Sequence, residues 1–297
     1  MKKFCFYHSD LDGECSAAII RKVNNGDIEC IPVNYNTDFP FYLISKNDQV
    51  WIVDYSLQKD EWDRLLFLTK NIIWIDHHKT AIDASVIYGI ESLLGLRDIE
   101  KSGCVLTWEY CFFGKEPPKV VKLVGDHDIW RFEFGDETRE FNSGIFNTVD
   151  TRPESAFWDE VLISKDFINM DASHYDAANH IIRDICEIGK KILAKQFIKD
   201  SQMLMSWGFE VYFENYHCIA INRGSIGPSF FKSIGSNYDI LIPFVFDGEK
   251  YTVSLYQSRA DIDLGAIAKK YGGGGHKGAA GFQCKELPFQ FIRRLSQ

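Results

Sequence analysis

Ile72-Ile73-Trp74-Ile75-Asp76-His77-His78 is the stretch on which the reading of this chain turns. Four apolar, largely β-branched residues make a short buried strand. That strand stops on a carboxylate and two imidazoles. In an open α/β sheet, sites are built at the rim where the strands end. Two earlier segments stop in the same way. Lys3-Phe4-Cys5-Phe6-Tyr7 runs into His8-Ser9-Asp10-Leu11-Asp12-Gly13, and Val50-Trp51-Ile52-Val53 runs into Asp54. Taken singly, each reads equally well as a turn or a helix cap. Three strand ends of one parallel sheet, all carrying oxygen or nitrogen donors, read together as one site.

Outward from that stretch, strand-like runs at 3–7, 28–33, 49–53 and 72–75 alternate with helix-like runs at 14–23 and 58–69. This alternation predicts an α/β fold whose N-terminal part is a doubly wound, mostly parallel sheet. Residues 102–113 read as a helix with Ser102 as its N-cap. Pro117-Pro118 can open another helix, ending near Gly125-Asp126-His127-Asp128. From 174 to 205 the pattern is one long helix. Beyond Trp207-Gly208, strands are expected at 210–222, 240–246 and 251–257, with a turn at Asp247-Gly248 and a helix at 263–271. The expected organisation is a catalytic metal-binding domain at 1–173, a helical connector at 174–205 and a smaller C-terminal α/β substrate-binding domain at 206–297.

Composition narrows the classes. The chain has 297 residues, 45% hydrophobic and 25% charged, a mixture able to bury a globular core. No apolar run approaches the roughly 20 residues that span a bilayer, so no membrane association is expected. Met1-Lys2-Lys3-Phe4 leads straight into a strand without a signal-peptide pattern, and a cytoplasmic location is expected. The eight cysteines are scattered without a Cys-x-x-Cys pair, which argues against a disulfide framework or a zinc ribbon. The net charge is −9, and the acidic excess lies in residues 1–205. Stable binding of duplex DNA needs many basic contacts and is not expected.

The donor inventory points to chemistry. His8, Asp10 and Asp12 occupy alternate positions, which share one side of an extended segment. Carboxylates and imidazoles without thiolates suit Mn²⁺, with Mg²⁺ or Co²⁺ as substitutes, better than structural zinc. Six or seven donors suit two ions bridged by one carboxylate, an arrangement that activates water and clamps a phosphoryl oxygen. Asp126 and Asp128, on either side of His127, compete to complete the set. The run Gly272-Gly273-Gly274-Gly275-His276 adds a second element, because consecutive glycine N–H groups can cradle an anion. Arg259, just past a strand, is a candidate fork for a phosphate.

In order and spacing these residues resemble the DHH family of phosphoesterases with the associated DHHA1 domain. His8-Ser9-Asp10-Leu11-Asp12-Gly13 is similar to the first motif, Asp54 to the second and Asp76-His77-His78 to the third. Gly272 to Phe282 resembles the DHHA1 signature. For the fourth motif the spacing to Arg131-Phe132 favours Asp126. The resemblance implies that His8, Asp10 and Asp54 hold one ion, and that Asp12, Asp54, His77 and Asp126 hold the other. It implies that His78 faces the scissile phosphate, that Asp76 orients the imidazoles, and that Arg259 and Gly272–His276 hold the substrate's terminal phosphate or sugar.

Among subgroups, the short first motif resembles nano-RNase type B. RecJ-type nucleases carry further domains, membrane-type cyclic-di-AMP phosphodiesterases add sensory segments, and family II pyrophosphatases space the first motif differently. The activity so implied is hydrolysis of short single-stranded oligonucleotides, oligoribonucleotides favoured, to nucleoside monophosphates. The alternatives are a phosphomonoesterase acting on a bisphosphonucleotide such as 3′-phosphoadenosine 5′-phosphate, or a non-catalytic nucleotide-binding member. A homodimer is compatible with any of these.

Overall fold

A computed structural model describes residues 1–164, 166, 172–235 and 237–295. The chain divides into two compact units, Met1–Ile192 and Leu193–Gln297.

The first unit is built on four strands, with helices between and after them. In chain order these are β1 (Lys3–His8), α1 (Leu11–Val23), β2 (Glu29–Val33), β3 (Gln49–Val53), α2 (Lys59–Leu68), β4 (Ile72–Ile75) and α3 (Lys79–Tyr88). The strands form one parallel sheet in the order β2-β1-β3-β4. The central strands are covered on both faces, so their interior positions are apolar, while the edge strand β2 keeps Glu29 exposed. Successive side chains go to opposite faces, and two separate cores result. Phe4, Phe6, Val50, Ile52, Ile72 and Trp74 pack against Trp62 and Leu65 of α2. Cys5, Tyr7, Trp51, Val53, Ile73 and Ile75 pack against Ala17 and Ile20 of α1.

After the sheet come α4 (Gly103–Cys111), α5 (Lys119–Asp128), α6 (Asp136–Ile145), α7 (Ala156–Val161) and the long α8 (Ala172–Trp207). The Ser102 hydroxyl caps α4 by accepting from the Val105 N–H. A third core joins α1, α4, α5, α6 and α7 to Ile182, Ile185 and Cys186 of α8. The early turns of α8 thus belong to the core of the first unit. Its last turns belong to the second unit, where Leu204 packs on Ile219, Ile221 and Phe231.

The second unit comprises β5 (Phe209–Phe213), β6 (Tyr216–Asn222), β7 (Ile240–Phe246), β8 (Tyr251–Gln257), α9 (Leu264–Lys270), β9 (Gly274–Gly275), β10 (Ala279–Cys284) and β11 (Gln290–Arg294). They form a mixed sheet in the order β11-β5-β6-β7-β8-β10-β9, in which β6 and β7 are parallel. Two expectations change here. The run 210–222 is two strands, because Glu214 and Asn215 take φ of 51° and 68° and turn the chain as a tight hairpin. The glycine run is only partly a loop, since Gly274 and Gly275 pair with Gly281 and Ala280 as an edge strand. Asp247 opens the β7–β8 hairpin as expected, its N–H donating to the Lys250 carbonyl at 3.1 Å. Among the described residues, no helix is long and apolar enough to cross a membrane.

Trp74 is the anchor of the α2 face. It is fully buried, lies 5.4 Å from the Trp62 ring and donates its indole N–H to the Tyr55 carbonyl at 3.1 Å. Trp74→Ala is expected to cost about 3–5 kcal/mol of stability, measured by urea unfolding. A loss under about 1 kcal/mol, the size of an exposed substitution, would show that this core is not what holds the sheet.

Candidate metal centre

Every strand of the parallel sheet delivers its next residues to the same rim. His8 is the last residue of β1, and Asp10 is the N-cap of α1, its Oδ1 accepting the Gly13 N–H at 3.0 Å. Gly13 is required by contact. A Cβ there would lie 2.0 Å from the His8 carbonyl oxygen, so the first turn of α1 sits directly against the end of β1. Asp12 points into the protein from that turn and is 2% exposed. Its two oxygens accept the N–H groups of Gly103 (2.6 Å) and Cys104 (3.0 Å) at the start of α4. A helix N-terminus favours a carboxylate, and here it fixes Asp12 in position.

Asp54 follows β3 directly. It is 1% exposed and holds a φ of 54°, a left-handed conformation that a non-glycine residue adopts at a cost. Neither of its carboxylate oxygens has a hydrogen-bond partner among the described residues. Around them lie His77 Nε2 at 3.1 Å, His8 Nδ1 at 4.0 Å and His78 Nδ1 at 4.0 Å. The donor atoms fall into overlapping groups: His8, Asp10 and Asp54; Asp54, His77 and His78; and Asp12, His77 and Asp128. A buried, unpartnered carboxylate surrounded by further carboxylates and imidazoles is unstable by itself. It is the donor set expected of a divalent cation site.

Asp76 has a different task. It is completely buried, and its Oδ1 accepts the N–H groups of His77 (2.8 Å) and His78 (3.1 Å) and pairs with His78 Nδ1 at 2.7 Å. The carboxylate thus orients the His78 ring and leaves Nε2 to face outward. It has no such contact with the His77 ring, which lies instead between Asp54 and Asp128, the latter at 3.4 Å.

Of the two aspartates on α5, Asp128 lies in the donor groups and the expected Asp126 lies in none of them. Both lie in the last turn of α5, two positions apart and therefore on different sides of the helix. Asp126 accepts the Glu133 N–H at 2.7 Å, the Phe134 N–H at 3.3 Å and the Thr138 hydroxyl. It ties down a turn in which Trp130 and Phe132 both have positive φ. Asp128 turns toward His77 and has a buried oxygen without a hydrogen-bond partner. The sequence pattern around the two aspartates does not separate them.

The ionisation of the cluster follows its geometry. Burial, reinforced by the charges of Asp12, Asp10 and Asp128, pushes the Asp54 carboxyl well above the usual carboxylate range. Burial and the charges of Asp12 and Asp10 push Asp128 up to about 8. Burial lowers His77. The hydrogen bond that His78 Nδ1 donates to Asp76 raises His78. Asp10 is lowered, because His8 and the Gly13 N–H outweigh its burial.

Tyr35 escaped sequence reasoning, although it stands two residues past the end of β2 and so at the same rim. Its ring stacks on Tyr55 (4.6 Å) and lies 5.7 Å from His8 and 6.5 Å from His78. The fourth strand end could have flagged it, but it bears no metal-type donor.

In the second unit, the Arg259 guanidinium pairs with Asp239 at 2.9 Å and Asp261 at 3.1 Å. The N–H groups of Gly272, Gly273 and His276 donate to the carbonyls of Lys269, Ala268 and Ala279. The first two close the C-terminus of α9 and the third bonds across to β10, so none of the three is free to cradle an anion. The His276 side chain is exposed.

The chain is similar to several known proteins. Residues 232–295 match the DHHA1 domain family. An uncharacterised protein, R106, of Acanthamoeba polyphaga mimivirus is 27% identical over 274 residues, or 87% of this chain. The chain spans 59% of the length of that relative. The pGpG-specific phosphodiesterase PggH of Vibrio cholerae aligns over 96% of this chain and 93% of its own, at 16% identity and a TM-score of 0.50. RecJ of Thermus thermophilus, in complex with Mn²⁺, aligns over 95% of this chain and 49% of its own, at 13% identity and a TM-score of 0.39.

Two outcomes follow from the geometry. A Cβ on Gly103 would lie 2.7 Å from Asp54 Cβ and 2.8 Å from Asp12 Oδ2. Gly103→Ala is expected to weaken Mn²⁺ binding about 10–100-fold, as displaced supporting groups do, in a calorimetric titration; an unchanged affinity would contradict the placement of Asp12 and Asp54. The raised carboxyls make a second. Between about pH 4, where such groups ionise in the unfolded chain, and about pH 8, where Asp128 ionises in the folded one, the native state binds more protons. Its stability must therefore fall as pH rises through that window. Melting in a chelator is expected to show a Tm that declines from pH 5 to pH 8, with added Mn²⁺ restoring more at pH 8 than at pH 5. A flat profile in chelator would contradict it.

Proposed function

We propose that this chain, which carries a DHHA1 domain and has the fold of a DHH-family phosphoesterase, is a two-metal phosphodiesterase that hydrolyses short single-stranded oligonucleotides to nucleoside monophosphates. The observation that carries the reading is Asp54, with two buried carboxylate oxygens that have no hydrogen-bond partner among the described residues. His8, Asp10 and Asp54 would hold one ion. Asp54, His77, Asp12 and Asp128 would hold the other. When bound, such ions supply Lewis acidity for the phosphoryl group and a nucleophilic water at neutral pH. Mn²⁺ fits the mixed oxygen and imidazole donors, with Mg²⁺ or Co²⁺ as substitutes.

The remaining work falls to the protein. His78 is held by Asp76 in one orientation, and the same contact favours its protonated form. A fixed imidazolium beside the cluster can donate to a phosphate oxygen and stabilise charge that develops there. It can also hand its proton to the departing oxygen. Asp76 acts through His78 by fixing ring and tautomer. In the DHHA1 domain, Arg259 and the exposed His276 side chain, rather than the bonded N–H groups of the glycine run, would contact the substrate. For Arg259 this requires that an anion displace one of its two carboxylate partners. The activity named for the Vibrio cholerae protein, a pGpG-specific phosphodiesterase, is of the same type.

The test is turnover of a dinucleotide, of longer end-labelled RNA and DNA, and of a 3′,5′-bisphosphonucleotide by purified protein with Mn²⁺ or Mg²⁺. The expected result is release of nucleoside monophosphate from the dinucleotide, with rates that fall as the strands lengthen. His78→Ala is expected to lower kcat about 10²–10⁴-fold, the range of a lost general acid, while Mn²⁺ binding persists. Turnover of the bisphosphate alone would overturn the diesterase reading in favour of a phosphomonoesterase.

A further inference from the structure

A cavity of about 340 Å³ opens beside the cluster, on the side that His78 faces. It lies between the ends of β2 and β3 and one side of α3. Its walls include Tyr35, Gln58, His78, Thr80, Ala84 and Tyr88. None of the lining residues is a lysine or arginine, and His78, on the cluster side, is the lining group that can carry positive charge. The cavity also has two tyrosine rings, the flat surface left by alanines on α3, and the amide of Gln58. The volume lies at the small end of the roughly 300–1,000 Å³ that small-molecule sites occupy. It holds one nucleoside and not a strand.

Tyr35 forms the boundary between cavity and cluster. One face of its ring is stacked on the buried Tyr55, at 4.6 Å and 29°. Tyr35 is 51% exposed as a residue and lines the cavity. The same residue approaches His8 and His78. A molecule seated in the cavity is therefore adjacent to both the donor cluster and the oriented imidazole.

We propose that this cavity is the nucleoside subsite of the reaction centre. It takes the base and sugar joined directly to the scissile phosphate, with the base against Tyr35 and Tyr88 and its polar edge on Gln58. The proposal rests on the phosphodiesterase reading and adds where the reacting nucleotide lies. Aromatic stacking is tolerant of base identity, because every base has a π-face. Only a donor or acceptor such as the Gln58 amide can discriminate between edges. A site of this kind accepts all four bases, with the preference among them set by Gln58. It also favours a nucleotide over inorganic or sugar phosphates, which have nothing to fill the cavity.

The experiment is calorimetric titration of the Mn²⁺-loaded full chain with AMP, with UMP and with inorganic phosphate. It is run on wild type, on Ala84→Trp, which fills the cavity from α3, and on Tyr35→Ala, which removes the stacking face. Both variants are expected to weaken AMP and UMP binding about tenfold or more, the size of a lost base stack, and to leave phosphate binding within about twofold. Nucleotide binding no tighter than phosphate binding in the wild type would overturn the proposal. So would variants that weaken nucleotide and phosphate alike, or neither. Should Ala84→Trp fail to fold, Tyr35→Ala decides on the same criterion. Hydrolysis is scored separately. Dinucleotide turnover whose KM is indifferent to both variants removes the subsite and leaves the enzyme. Cavity-dependent nucleotide binding without hydrolysis of any phosphodiester keeps the subsite and removes the enzyme.

Discussion

The Asp54 carboxylate is the constraint on which the rest of the first unit depends. It is buried at the end of a central strand, in a left-handed backbone conformation, and its oxygens have no hydrogen-bond partner among the described residues. Such a group costs free energy in the folded state unless something cationic compensates it. Its carboxylate neighbours and His77 do not compensate. Asp12, Asp10 and Asp128 add like charge, and burial disfavours a protonated His77. The fold nonetheless holds all of them in place by separate means. The α4 N-terminus fixes Asp12, the Gly13 N–H fixes Asp10 and the parallel sheet fixes Asp54 and His77. Repelling groups fixed so firmly make a candidate site for divalent cations.

A division of labour between neighbours recurs around the cluster. Asp76, His77 and His78 are consecutive, yet one is a completely buried orienting group, one lies between Asp54 and Asp128, and one is held by Asp76. Asp126 and Asp128 repeat the pattern on α5. One ties down a turn of strained backbone, and the other faces the cluster. In both places helix or strand periodicity sends adjacent residues in different directions. Identical residue types thereby take different roles.

This also explains how far the sequence could be read. Apolar runs ending in Asp and His are legible because burial on both faces of a parallel sheet demands such runs. His8, Asp10, Asp12, Asp54 and His77 could be named from strand ends alone. Asp126 could not be separated from Asp128, because the choice depends on where the Glu133 and Phe134 N–H groups arrive in space. Tyr35 was passed over because it is not a metal-type donor, and only the fold shows it beside His8 and His78. The glycine run was legible as a special backbone but not as a strand. Its pairing with β10 is a long-range contact that composition does not encode. The hairpin at Glu214-Asn215 was missed for a related reason, since neither residue is the glycine that usually marks such a turn.

The central claim is that the strand-end cluster is a two-ion site organised by Asp54. The most direct measurement is the stoichiometry of Mn²⁺ bound to the metal-stripped chain, by equilibrium dialysis or calorimetry, for wild type and for Asp54→Ala. The account requires about two ions per chain in the wild type and loss of both high-affinity sites in the variant, because both groups of donors share that carboxylate. A wild-type chain that binds no Mn²⁺, or a variant that retains the wild-type stoichiometry and affinity, would contradict it.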